Sequence, residues 1–210
     1  MNNRERILTA ALKLFNSRGV LKVSVRDICE ELNISPGNFS YHFPDKELVV
    51  NELYHRMSDK IHDVVASIPY NQASVTFFLE THRLIFLIQN EYRFFYLNLF
   101  EILTHFRGIK KSFAARYRQE KAFAREFMAL YAQKGVLVPG LTDEQYQRIV
   151  DVGMILNNAW MVDAEINAKS SMKKKMIHYM QLCCGRLEPY LTSAARKEYL
   201  AYFEELASKS

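Results

Sequence analysis

The stretch Ser24–Lys46, SVRDICEELNISPGNFSYHFPDK, contains signals for two short helices joined by a tight turn. Ser24 can cap the first helix with its hydroxyl, and Asp27 stands three residues later, as in an acidic variant of the capping box. The apolar residues that follow recur with the spacing of one helical face: Val25, Ile28, Cys29 and Leu32. The pattern predicts a short amphipathic helix that begins after Ser24.

The second half of this stretch predicts a turn and then another short helix. Asn33 follows the apolar stripe, and asparagine is one of the few residues with a side chain that accepts a left-handed backbone conformation. Ser35 can cap the next helix, and Pro36 would occupy its first position, where the missing amide hydrogen costs nothing. Gly37 leaves the positively polarised helix start open to another molecule, which suits phosphate. Together these signals predict a helix-turn-helix.

The segments on either side predict longer helices. Arg4–Ser17 has one apolar face, and Gly19 follows as a C-terminal stop. Asp45 can cap a fourth helix that continues up to Pro69. The apolar residues of that helix are Leu53, Met57, Ile61, Val64 and Ile68. The first three helices therefore make a small domain, and the fourth joins it to the rest of the chain.

This N-terminal region resembles the DNA-binding domain of the TetR family of bacterial transcriptional regulators. The likeness is carried by Ser35–Glu47, SPGNFSYHFPDKE, and extends upstream through Arg6–Phe15 and Arg18-Gly19. Two departures stand out: Asn33 occupies a position where the family usually has glycine, and Asn38 and Ser40 stand where Thr and Tyr are common. The first is conformationally tolerable, and the second means that the operator cannot be inferred from relatives.

The resemblance implies an all-α protein in two parts. Residues 1–46 would be a three-helix DNA-binding domain with a helix-turn-helix, and residues 47–210 a helical effector-binding and dimerisation domain. The implied function is a transcriptional regulator that binds a pseudo-palindromic double-stranded operator as a homodimer. The resemblance also implies a repressor that is released by a small apolar effector. The residues themselves do not distinguish a repressor from an activator.

The residues expected to touch DNA surround the second short helix. The first residues of such a helix reach base edges, and capping or basic residues nearby hold phosphates. Asn38 can pair with adenine and Arg26 with guanine, whereas Phe39 and Phe43 should face the core. The full predicted set is Ser24, Val25, Arg26, Ser35, Pro36, Gly37, Asn38, Ser40, Tyr41, His42 and Lys46.

The remaining two thirds of the chain predicts helices throughout. Their expected ranges are 74–90, 92–106, 110–134, 142–167, 171–190 and 192–208, and the expected breaks lie at Gly108, Gly135, Pro139-Gly140, the turn at Lys169 and Pro189. Thr142–Gln145 is a capping box. The middle helices are rich in aromatic residues, which are either ordinary core or the walls of an apolar ligand cavity.

Two residue sets follow for the second part of the chain. Candidate effector contacts are Phe78, His82, Phe100, Glu101, His105, Tyr117, Asn157, Asn158 and Trp160. The resemblance also implies that the last long helices form a four-helix interface with a second copy. The predicted dimer contacts are Ile149, Val152, Gly153, Leu156, Met176, Met180, Cys183 and Leu187.

Composition and motifs argue against several other classes of protein. The net charge of +5 mildly favours polyanionic partners. The N-terminus lacks a signal-peptide pattern, no apolar run reaches membrane-spanning length, and the three cysteines suit a reduced, cytoplasmic protein. No catalytic or metal-binding motif is present, so neither a cofactor nor a metal is expected. A helical carrier of apolar ligands, or a helical enzyme without specific DNA binding, is the main alternative.

Overall fold

The computed structural model describes residues 2–67, 73–167 and 170–208, which are predominantly helical. The predicted all-α fold is confirmed. The α-helices are α1 (Asn3–Arg18), α2 (Val25–Leu32), α3 (Pro36–His42), α4 (Lys46–Ala66), α5 (Val75–Glu91), α6 (Arg93–Leu97), α7 (Leu99–His105), α8 (Arg107–Gln133), α9 (Asp143–Asn167), α10 (Met172–Gly185) and α11 (Ser193–Ser208). Ile68, Pro69 and Lys169, where a helix end and a turn were expected, lie outside the described residues.

The helices form two compact units. The first unit contains Met1–His62 and Ile88–Ala114, and the second contains Asp63–Leu87 and Ala115–Ser210. Residue 46 lies inside the first unit, which therefore extends beyond the predicted DNA-binding domain of residues 1–46. Helices α4, α5 and α8 each begin in one unit and end in the other, so the chain itself connects the units through helices.

Helix α2 begins and ends at the residues that the sequence indicated. The Ser24 hydroxyl accepts a hydrogen bond from the Asp27 N–H at 3.2 Å, and the Asp27 carboxylate accepts one from the Ser24 N–H at 2.8 Å. Asn33 ends the helix in the left-handed conformation, with φ 52° and ψ 50°. The capping box and the turn residue are therefore confirmed.

Helix α3 is held by its cap and by its inner face. The Ser35 hydroxyl accepts a hydrogen bond from the Asn38 N–H at 3.1 Å, and Pro36 is the first helical residue. Phe39 is 0% exposed and Phe43 3%, as expected for core residues. Burial of one such ring contributes about 1.5–3 kcal/mol. This anchorage fixes which face of the short helix remains outside.

A break at Asn98 divides the segment 92–106, predicted as one helix, into α6 and α7. The Asn98 backbone leaves helical geometry at φ −119° and ψ 24°, and its side-chain oxygen accepts a hydrogen bond from the Val20 N–H at 2.9 Å. Gly19, the predicted stop of α1, has φ 83°, and a Cβ there would lie 3.1 Å from the same oxygen. The predicted continuous helix was wrong because the group that holds the break is distant in sequence.

A second asparagine ties the end of α1 to the same region of the first unit. The Asn16 side chain donates to the Glu91 carbonyl at 2.8 Å and accepts from the Phe94 N–H at 2.9 Å. Beside it, the rings of Phe15 and Phe94 lie 5.4 Å apart. Asn16 and Asn98 thus fasten the C-terminal end of α1 to the segment that runs from α5 to α7.

Two other helix limits differ from the sequence prediction, and one agrees. Gly108 lies within the first turn of α8, where it does not break the helix. Helix α10 ends at Gly185, and Pro189 lies in a separate 3-10 helix, Glu188–Tyr190, next to an antiparallel bridge between Leu137 and Leu191. The capping box at Thr142–Gln145 is confirmed by hydrogen bonds of 2.8 and 3.2 Å.

Replacing Asn98 with alanine should destabilise the first unit, because the partly buried N–H of Val20 loses its acceptor. We expect the free energy of unfolding, measured by urea denaturation, to fall by about 1–3 kcal/mol. Thr104→Ala is the matched control, since its exposed hydroxyl bonds only within its own helix, and its effect should stay within about 0.5 kcal/mol. Equal stability of Asn98→Ala and the wild type would contradict the role of this contact.

Candidate nucleic-acid interface

Helix α3 exposes the face opposite Phe39. The exposed residues are Ser35, Pro36, Gly37, Ser40 and Tyr41. Tyr41 is 84% exposed, so its ring and hydroxyl are accessible to another molecule. The predicted base-contacting and phosphate-contacting residues of this helix therefore form one accessible surface.

Asn38 and His42 border this exposed surface and are half-buried. The side-chain oxygen of Asn38 accepts a hydrogen bond from the Asn3 amide at 3.4 Å. A hydrogen bond of that length is weak, so the Asn38 amide can turn toward a base with little loss. The His42 ring meets the Tyr41 ring edge-on at 5.0 Å. The start of α1 thus contacts the residue predicted to pair with adenine without fixing its amide.

Lys46 supports the loop between α1 and α2. Its ammonium donates hydrogen bonds to the carbonyl oxygens of Val20 at 3.1 Å and Val23 at 2.9 Å. Burial lowers the pKa of Lys46, and the carboxylate of Asp27 partly opposes that shift. An ammonium has three N–H donors, so one remains for a phosphate oxygen. The predicted phosphate contact stays a prediction, while the loop contact is a role that the sequence pattern did not indicate.

The predicted DNA contacts at the start of α2 are accessible to different degrees. Ser24 and Arg26 are exposed, and Val25 is half-buried. The Arg26 side chain, 86% exposed, forms an ion pair with Glu30 at 2.8 Å, and this pairing raises the pKa of Arg26. An ion pair so open to solvent contributes little stability, so Arg26 can exchange Glu30 for a guanine or a phosphate.

Four charged residues join α1 to α4, and the sequence analysis missed them. Arg56 pairs with Glu5 through two hydrogen bonds of 2.7 Å and with Glu52 at 3.1 Å, and Arg4 also lies 3.1 Å from Glu52. The hydrogen bond from Arg56 lowers the pKa of Glu5, and those from Arg4 and Arg56 lower the pKa of Glu52. The i,i+4 spacing of Glu52 and Arg56 was the only local signal.

The residues predicted to contact an effector belong to two different units. Phe100, Glu101 and His105 are exposed on α7 in the first unit, because Ile102 occupies the inward position of that helix. Phe100 is 83% exposed and so does not line a buried pocket. The others are buried or half-buried in the second unit: Phe78, His82, Tyr117, Asn157, Asn158 and Trp160. The effector contacts stay a prediction, and the helical face of Phe100, Glu101 and His105 could not be assigned from sequence.

Aromatic rings pack against one another in the second unit. Phe86 stacks on Trp160 at 4.6 Å, and Phe78 meets Tyr131 edge-on at 6.1 Å. The rings of Phe78 and His82 are 4.1 Å apart, and the Phe78 carbonyl lies 2.9 Å from the His82 Nδ1. These rings form part of the core, as one of the two interpretations of the sequence expected.

The predicted dimer contacts on α9 and α10 mostly face inward. Five are buried within the second unit: Ile149, Gly153, Met180, Cys183 and Leu187. Leu156 and Met176 are half-buried, and Val152 is 39% exposed. A side chain enclosed in its own protomer is not available to a second copy, whereas Val152, Leu156 and Met176 remain accessible. The dimer interface itself stays a prediction. The predicted residues of α9 lie mostly on its inner apolar stripe, and Val152 alone belongs to a second one.

The second stripe, here called the outer stripe, is exposed. On α9 it contains Val152, Ile155, Val162 and Ile166, with exposures of 39%, 62%, 44% and 76%, and Leu182 on the neighbouring α10 is 51% exposed. The spacings of three, seven and four residues follow the seam of a coiled coil. A row of exposed apolar side chains of this kind is typical of a protein–protein contact.

The described residues lack both a metal-binding cluster and a membrane-spanning helix. They contain no group of three or more His, Cys, Asp or Glu side chains that could hold a metal ion. The thiols of Cys29, Cys183 and Cys184 are buried and free. Within the described ranges, no helix combines the length and the apolar character needed to cross a membrane.

Two family models match the chain. Residues 7–53 match the model described as "Bacterial regulatory proteins, tetR family", and this range contains most of α1 and all of α2 and α3. Residues 56–199 match the model described as "Bacterial transcriptional repressor". Together the matches cover the helix-turn-helix and most of the helices that follow it.

Solved structures share the fold over nearly the whole chain. A TetR-family transcriptional regulator from Marinobacter aquaeolei VT8 is 23% identical, with a TM-score of 0.85 over 98% of this chain and 99% of the other. CprB from S. coelicolor A3(2) is 11% identical, with a TM-score of 0.69 over 100% of each chain. The ketosteroid transcriptional regulator KstR2 of Mycobacterium tuberculosis is 18% identical, with a TM-score of 0.58 over 91% of this chain and 96% of the other.

Acid should destabilise the protein through His82. Burial, with a smaller effect from the nearby Arg186, lowers the pKa of folded His82 from 6.5 to about 3. As pH falls, the unfolded chain therefore takes up a proton before the folded protein does, and the stability that neutral His82 contributes is lost between pH 6.5 and 3. Between pH 7 and pH 5 the loss from this residue should be about 2 kcal/mol.

Denaturant unfolding at pH 7 and pH 5 checks this expectation. His82→Gln should lack most of the pH-dependent loss, because glutamine does not titrate. His178→Gln, at an exposed position, is the control and should keep the wild-type difference. The assignment to His82 is wrong if His82→Gln and the wild type lose the same free energy between the two pH values.

Proposed function

Because the chain belongs to the TetR family of bacterial transcriptional regulators, we propose that it regulates transcription by placing α3 in the major groove of an operator. The observation that carries this proposal is the exposed surface of α3, with Tyr41 outside and Phe39 anchored inside. The N–H groups at the start of the helix and the hydroxyls of Ser40 and Tyr41 would meet phosphates and base edges. The DNA-contact residues predicted from sequence remain the proposed contacts.

The operator is proposed to have two similar half-sites that are bound by a homodimer. The outer stripe of α9, with Leu182 of α10, would pack against the same surface of a second copy, since a two-fold interface is self-complementary. A symmetric dimer presents two copies of α3, which matches a pseudo-palindromic sequence. The exposed apolar side chains of the stripe support this assignment.

Control by a small molecule is proposed to act on the second unit. Helices α4, α5 and α8 pass from that unit into the first, so a displacement of any of them reaches the DNA-binding helices along the chain. The name of the similar KstR2 refers to ketosteroids, and an apolar effector also suits the aromatic second unit. Release of a repressor is the proposed direction of control, in line with the description of the matching family model.

Asn38→Ala should relax base selection, because the amide can pair with one adenine. With an operator selected from a random DNA library, we expect the penalty for a substitution at one base pair to shrink by about 1–3 kcal/mol. Asn3→Ala is the matched control, since it removes the Asn3–Asn38 hydrogen bond but leaves Asn38 in place. Fluorescence anisotropy on the operator and its single-base variants measures the effect. Unchanged base preference in Asn38→Ala would contradict the proposed contact.

Ile155→Glu should produce a monomer, because it places a charge in the middle of the outer stripe. Light scattering on a sizing column should report a dimer for the wild type and a monomer for this variant, with operator affinity lowered by at least roughly tenfold as cooperative half-site binding is lost. Leu200→Glu changes a residue that is 48% exposed on α11, outside the stripe, and should remain dimeric. A monomeric wild type, or a dimeric Ile155→Glu variant, would refute the interface.

A further inference from the structure

Arg186 places a cation among neutral groups in the second unit. Arg186, the residue that follows α10, is half-buried as a whole, and burial of its guanidinium lowers the pKa of the group. Its Nε donates a hydrogen bond to the Ile149 carbonyl at 3.1 Å, and its Nη1 donates to the Cys183 carbonyl. The guanidinium carbon also lies 5.8 Å from the centre of the Phe78 ring. Both hydrogen-bond partners are uncharged, so these contacts orient the guanidinium without neutralising it.

Within the described residues, no carboxylate pairs with Arg186. Carboxylates on neighbouring elements pair with other arginines: Glu188 with Arg196 at 2.8 Å, and Glu80 with Arg83 at 2.8 Å. Burial raises the pKa of the Cys183 thiol to about 11 and that of Cys184 to about 12, so neither sulfur supplies a negative charge at neutral pH. An enclosed charge without a counter-ion is costly, which points to an anion supplied from outside the chain.

Gly153 provides the space in which the guanidinium lies. A Cβ at this position would overlap the guanidinium carbon, Nε and Nη2 of Arg186. The approach of α9 to Arg186 therefore depends on glycine. A guanidinium has five N–H groups, and two of them donate to these carbonyl oxygens. One N–H of Nη1 and both of Nη2 remain, and no described residue accepts from them.

His82 adds a neutral polar group beside the same aromatic ring. Its imidazole lies 4.1 Å from the Phe78 ring, which Arg186 also faces. The low pKa of His82 keeps the imidazole uncharged at neutral pH, so it does not add a second cation. The Nδ1–H donates to the Phe78 carbonyl, which leaves Nε2 as an acceptor. Arg186 is thus surrounded by a neutral acceptor, His82, and by aromatic rings.

We propose that Arg186 binds the carboxylate of an apolar small molecule whose hydrocarbon or aromatic part lies against Phe78 and the neighbouring rings. One guanidinium matches the single charge and planar shape of a carboxylate. A phosphate monoester carries up to two charges and would need further cations. The proposal rests on the proposed function in one respect: this ligand would be the effector that controls DNA binding.

Calorimetry without DNA tests the ligand chemistry directly. The probes are decanoate, 4-phenylbutyrate and 1-naphthoate, each compared with its primary amide. We expect at least one carboxylate to bind the wild type roughly tenfold or more tightly than its amide, because the charge of the ligand pairs with the enclosed guanidinium. Arg186→Gln should bind the acid and the amide about equally, and Arg186→Lys should keep part of the preference. The matched control Arg196→Gln, at an exposed arginine, should behave as the wild type.

Gly153→Ala gives a second test that retains the charge. The added methyl group displaces the guanidinium, so the preference for the carboxylate should weaken although arginine is still present. The assignment is overturned if no carboxylate binds more tightly than its amide, if Arg186→Gln keeps the preference, or if decyl phosphate binds better than decanoate.

Operator binding, measured separately, distinguishes failure of this inference from failure of the proposed function. Arg186→Gln should bind the operator as the wild type does, which also shows that the variant is folded, but the carboxylate should no longer release it. If the wild type prefers carboxylates yet binds no operator, the ligand site stands and the regulatory function fails. If a folded, operator-binding wild type shows no carboxylate preference, the regulatory function stands and the ligand assignment fails.

Discussion

Burial of Phe39 is the constraint on which the presentation of the DNA-binding surface depends. Helix α3 has only seven residues, too few to be stable alone in water. Its fixed position comes from the enclosed ring on one side and from the Ser35 cap at its start. With these two points fixed, Ser40 and Tyr41 face outward. The left-handed Asn33 sets the angle between α2 and α3.

Polar contacts also hold the other helices of the first unit in place. Lys46 holds the loop that precedes α2, and the group of Arg4, Glu5, Glu52 and Arg56 fixes α1 against α4. Asn16 and Asn98 fasten the other end of α1 to α5, α6 and α7. Since α4 and α5 continue into the second unit, the elements that would transmit an effector signal are the same ones that hold the DNA-binding helices.

Local signals in the sequence were sufficient for the helix-turn-helix. Caps, the turn asparagine and the proline start depend on residues a few positions apart, so they could be identified without the fold. The break at Asn98 and the loop contact of Lys46 could not, because their partners lie 78 and up to 26 residues away. On α9 the sequence contains two apolar stripes, and only the structure shows that Ile149 and Gly153 face inward while Ile155 and Ile166 face outward. Residue types alone likewise did not single out Arg186, whose surroundings are assembled from separate helices.

Methylation of guanine N7 by dimethyl sulfate, performed on the operator with and without the protein, tests whether α3 enters the major groove. N7 lies in the major groove, where α3 of each protomer should sit. The expected result is protection of guanines in two symmetric half-sites, about one helical turn or a multiple of it apart. Protection of a single segment, or an operator that is bound with every N7 still reactive, would contradict the account.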